Sequence, residues 1–479
     1  MQVPCSENSV QRGRGGIGIH DELQKFLQGR IWLRELLPVG KEEAGDLIRE
    51  GLIGTVPGVA TIRKWHGGTH SRCSRCLTED ARHFHAFNCR KCGKVCRYCR
   101  HCLNMGRVAE CDELVYWCGP ERRTACNAVL TWEGRLTPLQ ERAAGELEES
   151  LLDGKPHLLH AVCGAGKTEI LFRPVHRLLS EGKRVCIATP RTDVVLELLP
   201  RFEKAIGGTV IHGLYGGSGN GEGLAGLVIA TTHQLYRFRE AFDAVIVDEA
   251  DAFPYSFDRT LRLAVRKALK PGGVLAVVTA TPSPAILSEI GREGRRSVIP
   301  VRFHGHPLPV PRIVPLFGYR KRISAGKMPE RLKAWTEERL KRKEPFLIFF
   351  PSVPLMEQCL PLFSHLDAGI GAVHATHPDR RDLVMALREG RIPGLLTTTI
   401  LERGITIPRL QIAVAGSENV VFDRSAIIQI SGRAGRSPEH PDGDVVLFHH
   451  GVTPEMDAAV REIRRLNREG VKTIGLPAL

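Results

Sequence analysis

Between Leu136 and about residue 305, short, nearly continuous apolar runs alternate with stretches in which apolar residues recur every three or four positions. The runs at 157–162, 184–189, 227–231, 244–247 and 274–279 are too short for helices and lack the polar alternation of a half-wet strand. They predict strands of a parallel sheet with helices on both faces. A proline-dense stretch, His304-Gly-His-Pro-Leu-Pro-Val-Pro-Arg312, breaks the pattern, which resumes at 346–350, 371–374, 394–398, 411–415 and 444–449. Two successive sets of β-then-α units imply an α/β protein with two tandem parallel-sheet domains, at 131–305 and 306–479. Ahead of them, residues 73–130 read as a small cysteine-rich module. Residues 1–72 read as an arm with one predicted helix over 21–37 and a glycine-rich stretch, Arg12–Gly18, expected to be mobile.

Composition adds direction. A chain of 479 residues exceeds one core, and a net charge of +14 favours a polyanionic partner such as nucleic acid or an anionic membrane surface. No run of about twenty apolar residues occurs, so no membrane span is expected. The start, Met-Gln-Val-Pro-Cys-Ser-Glu-Asn, lacks the basic-then-apolar pattern of a secretory signal, so a cytoplasmic protein is expected. Ten of the fourteen cysteines lie between Cys73 and Cys126, which is not the spread of a secreted disulfide scaffold. Cys163, Cys186 and Cys359 sit singly in apolar runs, as buried small hydrophobes do.

The candidate chemistry begins where the run at 157–162 enters Cys163-Gly164-Ala165-Gly166-Lys167-Thr168, followed by helical spacing from Glu169. A strand, a glycine turn and a helix N-terminus form a cradle for a polyphosphate. Glycines let backbone N–H groups close on the phosphates, and Lys167 reaches the terminal ones. Thr168 is the expected Mg²⁺ ligand. Ala161 stands where the commonest form of this loop has glycine, a variant often carried by nucleic-acid-dependent ATPases. One domain-width later, the run at 244–247 delivers Asp248 and Glu249. Asp248 is placed to hold Mg²⁺ and Glu249 to polarise the attacking water. Thr279 and Thr281 follow the next strand and are expected to bond Asp248. Gln140, in Leu136-Thr-Pro-Leu-Gln140, is placed to read adenine. In the second domain, Gln429, Arg433 and Arg436 fall at helical spacing, and the arginines suit a transferring phosphoryl group. The glycines between them suggest close backbone approach, since each costs a helix about 1 kcal/mol.

Cys73/Cys76, Cys89/Cys92 and Cys99/Cys102 are three Cys-x2-Cys knuckles, with Cys96, Cys111 and Cys118 nearby. Two such pairs suffice for one tetrahedral Zn²⁺ site. The favoured set is Cys73, Cys76, Cys99 and Cys102. A second set would draw on Cys89 and Cys92 with two of Cys96, Cys111 and Cys118, and His83, His85 and His101 are alternative ligands. Between Arg72 and Arg107 nine Lys or Arg face two acids, and Phe84, Phe87 and Tyr98 are interleaved. Contact with nucleic acid accounts for that charge better than a solvated face does.

The order of these motifs, with Thr189-Pro-Arg191, Thr231-Thr232-His233 and Thr398-Thr-Ile-Leu-Glu-Arg403-Gly404, resembles superfamily 2 helicases and translocases. That resemblance implies two RecA-like domains. It gives Thr189, Arg191, Thr232, His233, Thr398 and Arg403 contacts to the DNA backbone, and Gly404 and Gln429 contacts to nucleotide. The cysteine module, Trp132-Glu-Gly-Arg-Leu-Thr-Pro-Leu-Gln140 and Val247-Asp-Glu-Ala-Asp-Ala-Phe-Pro-Tyr255 are similar to the ComFA family of competence ATPases. Membership implies an ATP-, Mg²⁺- and Zn²⁺-dependent motor at the inner face of the cytoplasmic membrane. It would pull single-stranded transforming DNA through the channel ComEC, with ComFC and DprA as partners, and it leaves room for an oligomer. The alternatives are a PriA-like or RecG-like helicase of replication restart or repair, and a zinc-dependent scaffold with a dead ATPase.

Overall fold

The computed structural model describes residues 17–63, 65, 68–124, 127–219, 221, 224–398 and 407–474. The chain opens with α1 (Ile17–Leu27), β1 (Ile31–Leu33), α2 (Lys41–Arg49), β2 (Ile53–Pro57), β3 (Val59–Arg63) and β4 (Thr69–Cys73). The hairpin strands β5 (Phe84–Asn88) and β6 (Val95–Cys99) and then β7 (Glu113–Trp117) follow. The helix expected over 21–37 ends ten residues early, at Leu27. Gly29 turns the chain at φ +74°, and its backbone lies so near Ala241 that a Cβ there would stand 2.7 Å from that side chain. Of the expected mobile stretch, Ile17 and Gly18 belong to α1, and the rest lies outside the described residues.

The boundary expected at 72/73 falls inside β4, which pairs antiparallel with β3 from Val59↔Cys73 to Arg63↔Thr69. β1 and β2 flank β7 in one antiparallel sheet. Leu23, Leu27, Ala44, Leu47, Ile53 and Val115 bury together beneath it, so the arm and the cysteine module share a core. Composition shifts at residue 73, but strand pairing does not respect the shift.

The first large domain starts with β8 (Val129–Leu130), which pairs with β11 (Ile206–Gly207). Its other elements are α3 (Pro138–Leu152), β9 (His157–Ala161), α4 (Lys167–Ser180), β10 (Val185–Thr189), α5 (Thr192–Ala205), β12 (Ile211–Leu214), β13 (Leu227–Thr231), β14 (Phe242–Asp248), α6 (Arg259–Ala268), β15 (Leu269–Thr279), α7 (Pro284–Ile290) and β16 (Arg295–Ile299). The sheet runs β12-β13-β10-β14-β15-β9-β16, and every pairing is parallel. β9, β10 and β13 are buried at every residue, as strands covered on both faces must be. β12 and β16 are the edge strands, with mixed burial, and the apolar-run reading passes over them.

The second domain comprises β17 (Arg312–Pro315), α8 (Tyr319–Ser324), α9 (Glu330–Arg342), β18 (Phe346–Phe349), α10 (Val353–Ser364), β19 (Gly371–Val373), α11 (Arg380–Arg388), β20 (Gly394–Thr397), β21 (Gln411–Ala415), α12 (Arg424–Ser431), β22 (Val445–His449) and α13 (Pro454–Ile474). Its sheet, β17-β22-β21-β18-β20-β19, is also wholly parallel. The fold is therefore two tandem RecA-like domains behind an N-terminal cysteine unit. Among the described residues no helix is long and apolar enough to cross a membrane.

Candidate active site and metal centres

Ligands of open α/β sheets bind at the carboxyl ends of the strands, and the motifs gather there. β9 ends at Ala161 and the chain turns through Gly164 (φ +81°) and Gly166 (φ +74°) into α4, whose first residue is Lys167. The turn is braced from below. Thr137 caps α3, and Gln140 closes the capping box by accepting from the Thr137 N–H at 2.8 Å. The Gln140 amide also donates to the Ala165 carbonyl at 2.9 Å, and a Cβ on Gly166 would stand 2.3 Å from that amide. Gln140, expected as an adenine reader, is thus a buried strut beneath the phosphate loop, with both ends of its amide engaged.

Asp248 ends β14 and is buried. Glu249 follows in left-handed backbone at φ +53°, the kind of strain that persists at sites the surroundings over-determine. A cleft of about 650 Å³ is lined by Gly164, Lys167, Thr168, Asp248 and Glu249 of the first domain and by Gln429, Arg433 and Arg436 of the second. Arg201 and Phe303 are among the lining residues that no sequence motif marks. Arg201, on α5, donates to the Thr168 hydroxyl at 3.1 Å and pairs with Glu169. Phe303 donates its N–H to the Gly164 carbonyl at 2.9 Å.

The structure corrects three further expectations. Thr279 and Thr281 donate to Asp251, at 2.7 and 2.6 Å, rather than to Asp248. The Asp251 carboxylate also accepts from Ser425 at 3.1 Å and from the Gln429 amide at 2.9 Å, both on α12, so it joins the two domains. Gln429 also accepts from the thiol of Cys163 at 2.9 Å, and Cys163 is buried as expected. The helix stops at Ser431, and Arg433 and Arg436 ride on the following turn. The C-cap of α12 is Gly432, where a Cβ would stand 2.4 Å from Cys163 Cβ. Finally, Thr189 and Thr232 are fully enclosed, so their hydroxyls do not face an open groove.

Of the other expected nucleic-acid contacts, Arg191 forms a bidentate pair with Asp193 at 3.0 and 2.7 Å, and Asp193 also faces Arg380 of the second domain at 3.7 Å. His233 is exposed and Thr398 half-buried at the end of β20. Arg403 and Gly404 lie outside the described residues.

Two cysteine quartets assemble in the N-terminal unit. In Cys73-x2-Cys76 the Leu77 N–H donates to the Cys73 carbonyl at 2.9 Å and the Cys73 N–H to the Thr78 carbonyl at 3.1 Å. Cys89-x2-Cys92 repeats both bonds, each at 2.9 Å, through Gly93 and Lys94. The residue closing each turn is left-handed, Leu77 at φ +62° and Gly93 at +69°. Such turns aim two thiolates at one point. Cys73, Cys76, Cys99 and Cys102 converge, with Sγ separations of 3.8 Å (Cys73–Cys102), 3.6 Å (Cys76–Cys99) and 3.7 Å (Cys99–Cys102). A tetrahedral Zn–S₄ site with bonds of 2.3 Å requires about 3.8 Å, so the quartet fits the ion. The second quartet is Cys89, Cys92, Cys96 and Cys111, with Cys89–Cys111 at 3.5 Å and Cys92–Cys96 at 3.2 Å. Cys118, just after β7, belongs to neither, and among the described residues no histidine joins either set.

The first quartet is structurally part of the first large domain. Its four sulfurs share a core with Val228, Ala230, Leu235, Tyr236 and Val245. His101 pairs with Asp258, the N-cap of α6, at 3.1 Å. Lys267 of α6 is buried among carbonyls, donating to Tyr236 at 2.8 Å and to Arg75, and burial pushes its ammonium down to about 7. Arg75 in turn donates to Cys102 Sγ at 3.2 Å, setting a positive charge beside the thiolates.

Comparison with known proteins gives three family matches. The competence protein ComFA N-terminal domain matches residues 14–116, the type III restriction enzyme res subunit 133–283, and the helicase conserved C-terminal domain 329–438. Competence protein ComFA of Bacillus subtilis (strain 168) is 40% identical over 473 residues, covering 98% of this chain and 99% of that protein. Competence protein ComFA of Streptococcus pneumoniae (strain ATCC BAA-255 / R6) is 37% identical over 372 residues, 77% of this chain and 85% of its own. Among solved structures, S. cerevisiae Dbp5 bound to RNA and ADP BeF3 is 15% identical with a TM-score of 0.47, covering 69% of this chain and 91% of that one.

Proposed function

The chain belongs to the ComFA family of competence proteins, and on that premise we propose that it is an ATP-driven single-stranded DNA translocase for the import of transforming DNA. The helicase-type domains make it an ATPase of the helicase and translocase kind. The observation that carries the finer reading is the shared cleft. Lys167, Thr168, Asp248 and Glu249 face Arg433 and Arg436 across one space, so hydrolysis requires both domains together.

The roles follow from chemistry. Gly164, Ala165 and Gly166 present backbone N–H groups to the phosphates, and Lys167 binds the terminal ones. Thr168 and Asp248 offer the hard oxygen ligands that suit Mg²⁺, which neutralises charge on the β- and γ-phosphates when bound. Glu249 orients and deprotonates the attacking water. Arg433 and Arg436 supply fixed positive charge to the departing phosphoryl group from the opposite domain. Cys73, Cys76, Cys99 and Cys102 would hold a Zn²⁺ that fastens the N-terminal unit to the first domain, and Cys89, Cys92, Cys96 and Cys111 would hold a second ion. His233, Arg191 and Thr398 border the DNA path, with ComEC, ComFC and DprA as partners at the inner membrane face.

Steady-state ATP hydrolysis tests this, measured with single-stranded DNA, duplex DNA and RNA at several salt concentrations. Stimulation selective for single strands, abolished in Lys167→Ala, is expected. Parental turnover by Lys167→Ala in saturating single-stranded DNA would refute the ATPase assignment. Efficient unwinding of a forked duplex, with no loss of transformation on gene deletion, would favour a RecG-like helicase instead.

A further inference from the structure

Arg302 lies between β16 and β17, where the chain crosses from one domain to the other, and it is the bulkiest of the fully buried side chains, 1% exposed. Among the described residues no carboxylate forms an ion pair with it. Carbonyl oxygens satisfy it instead. Nη1 donates to Ala434 at 2.9 Å and to Gly435, Nη2 to Pro441 at 2.8 Å and to Pro307, and Nε to His306 at 3.3 Å. Burial pushes the guanidinium down to about 10, and Arg436 adds to the shift. The Asp442 carboxylate opposes that shift without contacting the guanidinium, and a buried charge that lacks a contact ion pair is costly, so its partners must be well made.

Those partners are not scattered. Ala434 and Gly435 are the two residues between Arg433 and Arg436. Gly435 is left-handed at φ +65°, and a Cβ there would stand 2.9 Å from Arg302 Nη1 and 2.0 Å from the Pro441 carbonyl. Only glycine lets the guanidinium reach this turn. At its other end Arg302 lies along the phosphate loop. A Cβ on Gly164 would stand 3.4 Å from Arg302 Cδ, and the neighbouring Phe303 N–H holds the Gly164 carbonyl.

The geometry points to Arg302 as a positioning residue for ATP hydrolysis, clamping the turn that carries Arg433 and Arg436 against the phosphate loop. This rests on the ATPase reading above and deepens it. The guanidinium is a rigid fork spanning several acceptors, so it fixes the turn in two directions at once. A lysine or an apolar side chain of similar length fills the space without that control. Displacement of a catalytic group by about 1 Å costs turnover of order 100-fold while leaving ground-state binding nearly intact.

The test is a double-mutant cycle on full-length, zinc-loaded protein. Arg302→Met and Arg302→Lys are each combined with Arg436→Ala, with turnover measured in saturating single-stranded DNA. Affinity is read with a fluorescent non-hydrolysable ATP analogue, and folding by thermal melting. Arg302→Met is expected to bind the analogue within about threefold of the parent while its kcat falls about 100-fold, and Arg302→Lys to recover part of that. In the Arg436→Ala background the same substitution should cost clearly less than in the parent, because only the placement of Arg433 is then left to lose. Losses that multiply, or losses shared equally by affinity and turnover, would mean that Arg302 only supports the fold. If Arg302→Met does not fold, the cycle with Arg302→Lys decides. A slow Arg436→Ala beside a parental Arg302→Met overturns the inference alone. A parental rate for Arg436→Ala overturns the underlying role of that arginine, and the inference with it.

Discussion

Asp251 is the residue whose replacement most directly tests whether the two domains act together. Its carboxylate takes hydrogen bonds from Thr279 and Thr281 after β15 and from Ser425 and Gln429 on α12. Asp251→Ala removes the acceptor for both cross-domain donors. A hydrogen bond to an ionised group contributes about 1.5 kcal/mol. Asp251 is half-buried, so about 1 kcal/mol for each is the safer figure. Two of them amount to about 2 kcal/mol, or a factor of about 30 in the population of the joined arrangement. Turnover in saturating single-stranded DNA should fall by that factor, with ATP analogue binding close to parental. Asp251→Asn should lose less than about fivefold. Its amide can face Thr279, whose hydroxyl turns to accept, while its oxygen still faces the other three donors. Steady-state hydrolysis, with melting temperature as the control for folding, measures both. A parental rate for Asp251→Ala, or equal losses in the two variants, would refute the reasoning.

Elemental analysis should find about two zinc ions per chain, each quartet holding one. Cys118→Ser should leave that number unchanged and Cys89→Ser should lower it by one; a loss of zinc in Cys118→Ser would contradict the assignment. Cys73→Ser should also lower the melting temperature more than Cys89→Ser, because only the first quartet shares a core with the first large domain. For pH, burial pushes His157 and His160 down to about 4, with Arg295 and Arg296 nearby as further causes. The unfolded chain, with imidazole near pKa 6.5, then binds more protons between about pH 6.5 and 4, so stability is full above 6.5 and drains away as pH falls toward 4. As much as about 3 kcal/mol per ring is at stake. His160 accepts from Arg296 at 2.9 Å on Nδ1 and donates to the Ala280 carbonyl at 3.0 Å on Nε2, so a second proton meets a guanidinium. His160→Gln should flatten the fall in melting temperature between pH 6.5 and 5, and an unchanged slope would rule out that origin.

Residues whose role follows from local order were legible from the chain alone. The strands β9, β10, β13 and β14 are legible because both faces are covered and most of their residues are apolar. The phosphate loop needs a strand, glycines and a helix in immediate succession, and a Cys-x2-Cys turn is complete within a few residues. The edge strands β12 and β16 were missed because half of each faces solvent. The break after Leu27 was missed because Gly29 answers to Ala241, far along the chain.

By itself the sequence determined the two parallel sheets, the loop that ends in Lys167, the acids that end β14, and the knuckles as pairs. All of these are set by periodicity and by contacts within a few residues. Only the tertiary structure decided which pairs form a quartet and that the first is welded to α6. It also decided that Thr279 and Thr281 serve Asp251, and that Arg302 bridges the phosphate loop and the arginine turn. Those are contacts between residues more than a hundred positions apart, or choices among equivalent nearby partners. They depend on where whole elements pack, and no local pattern records that.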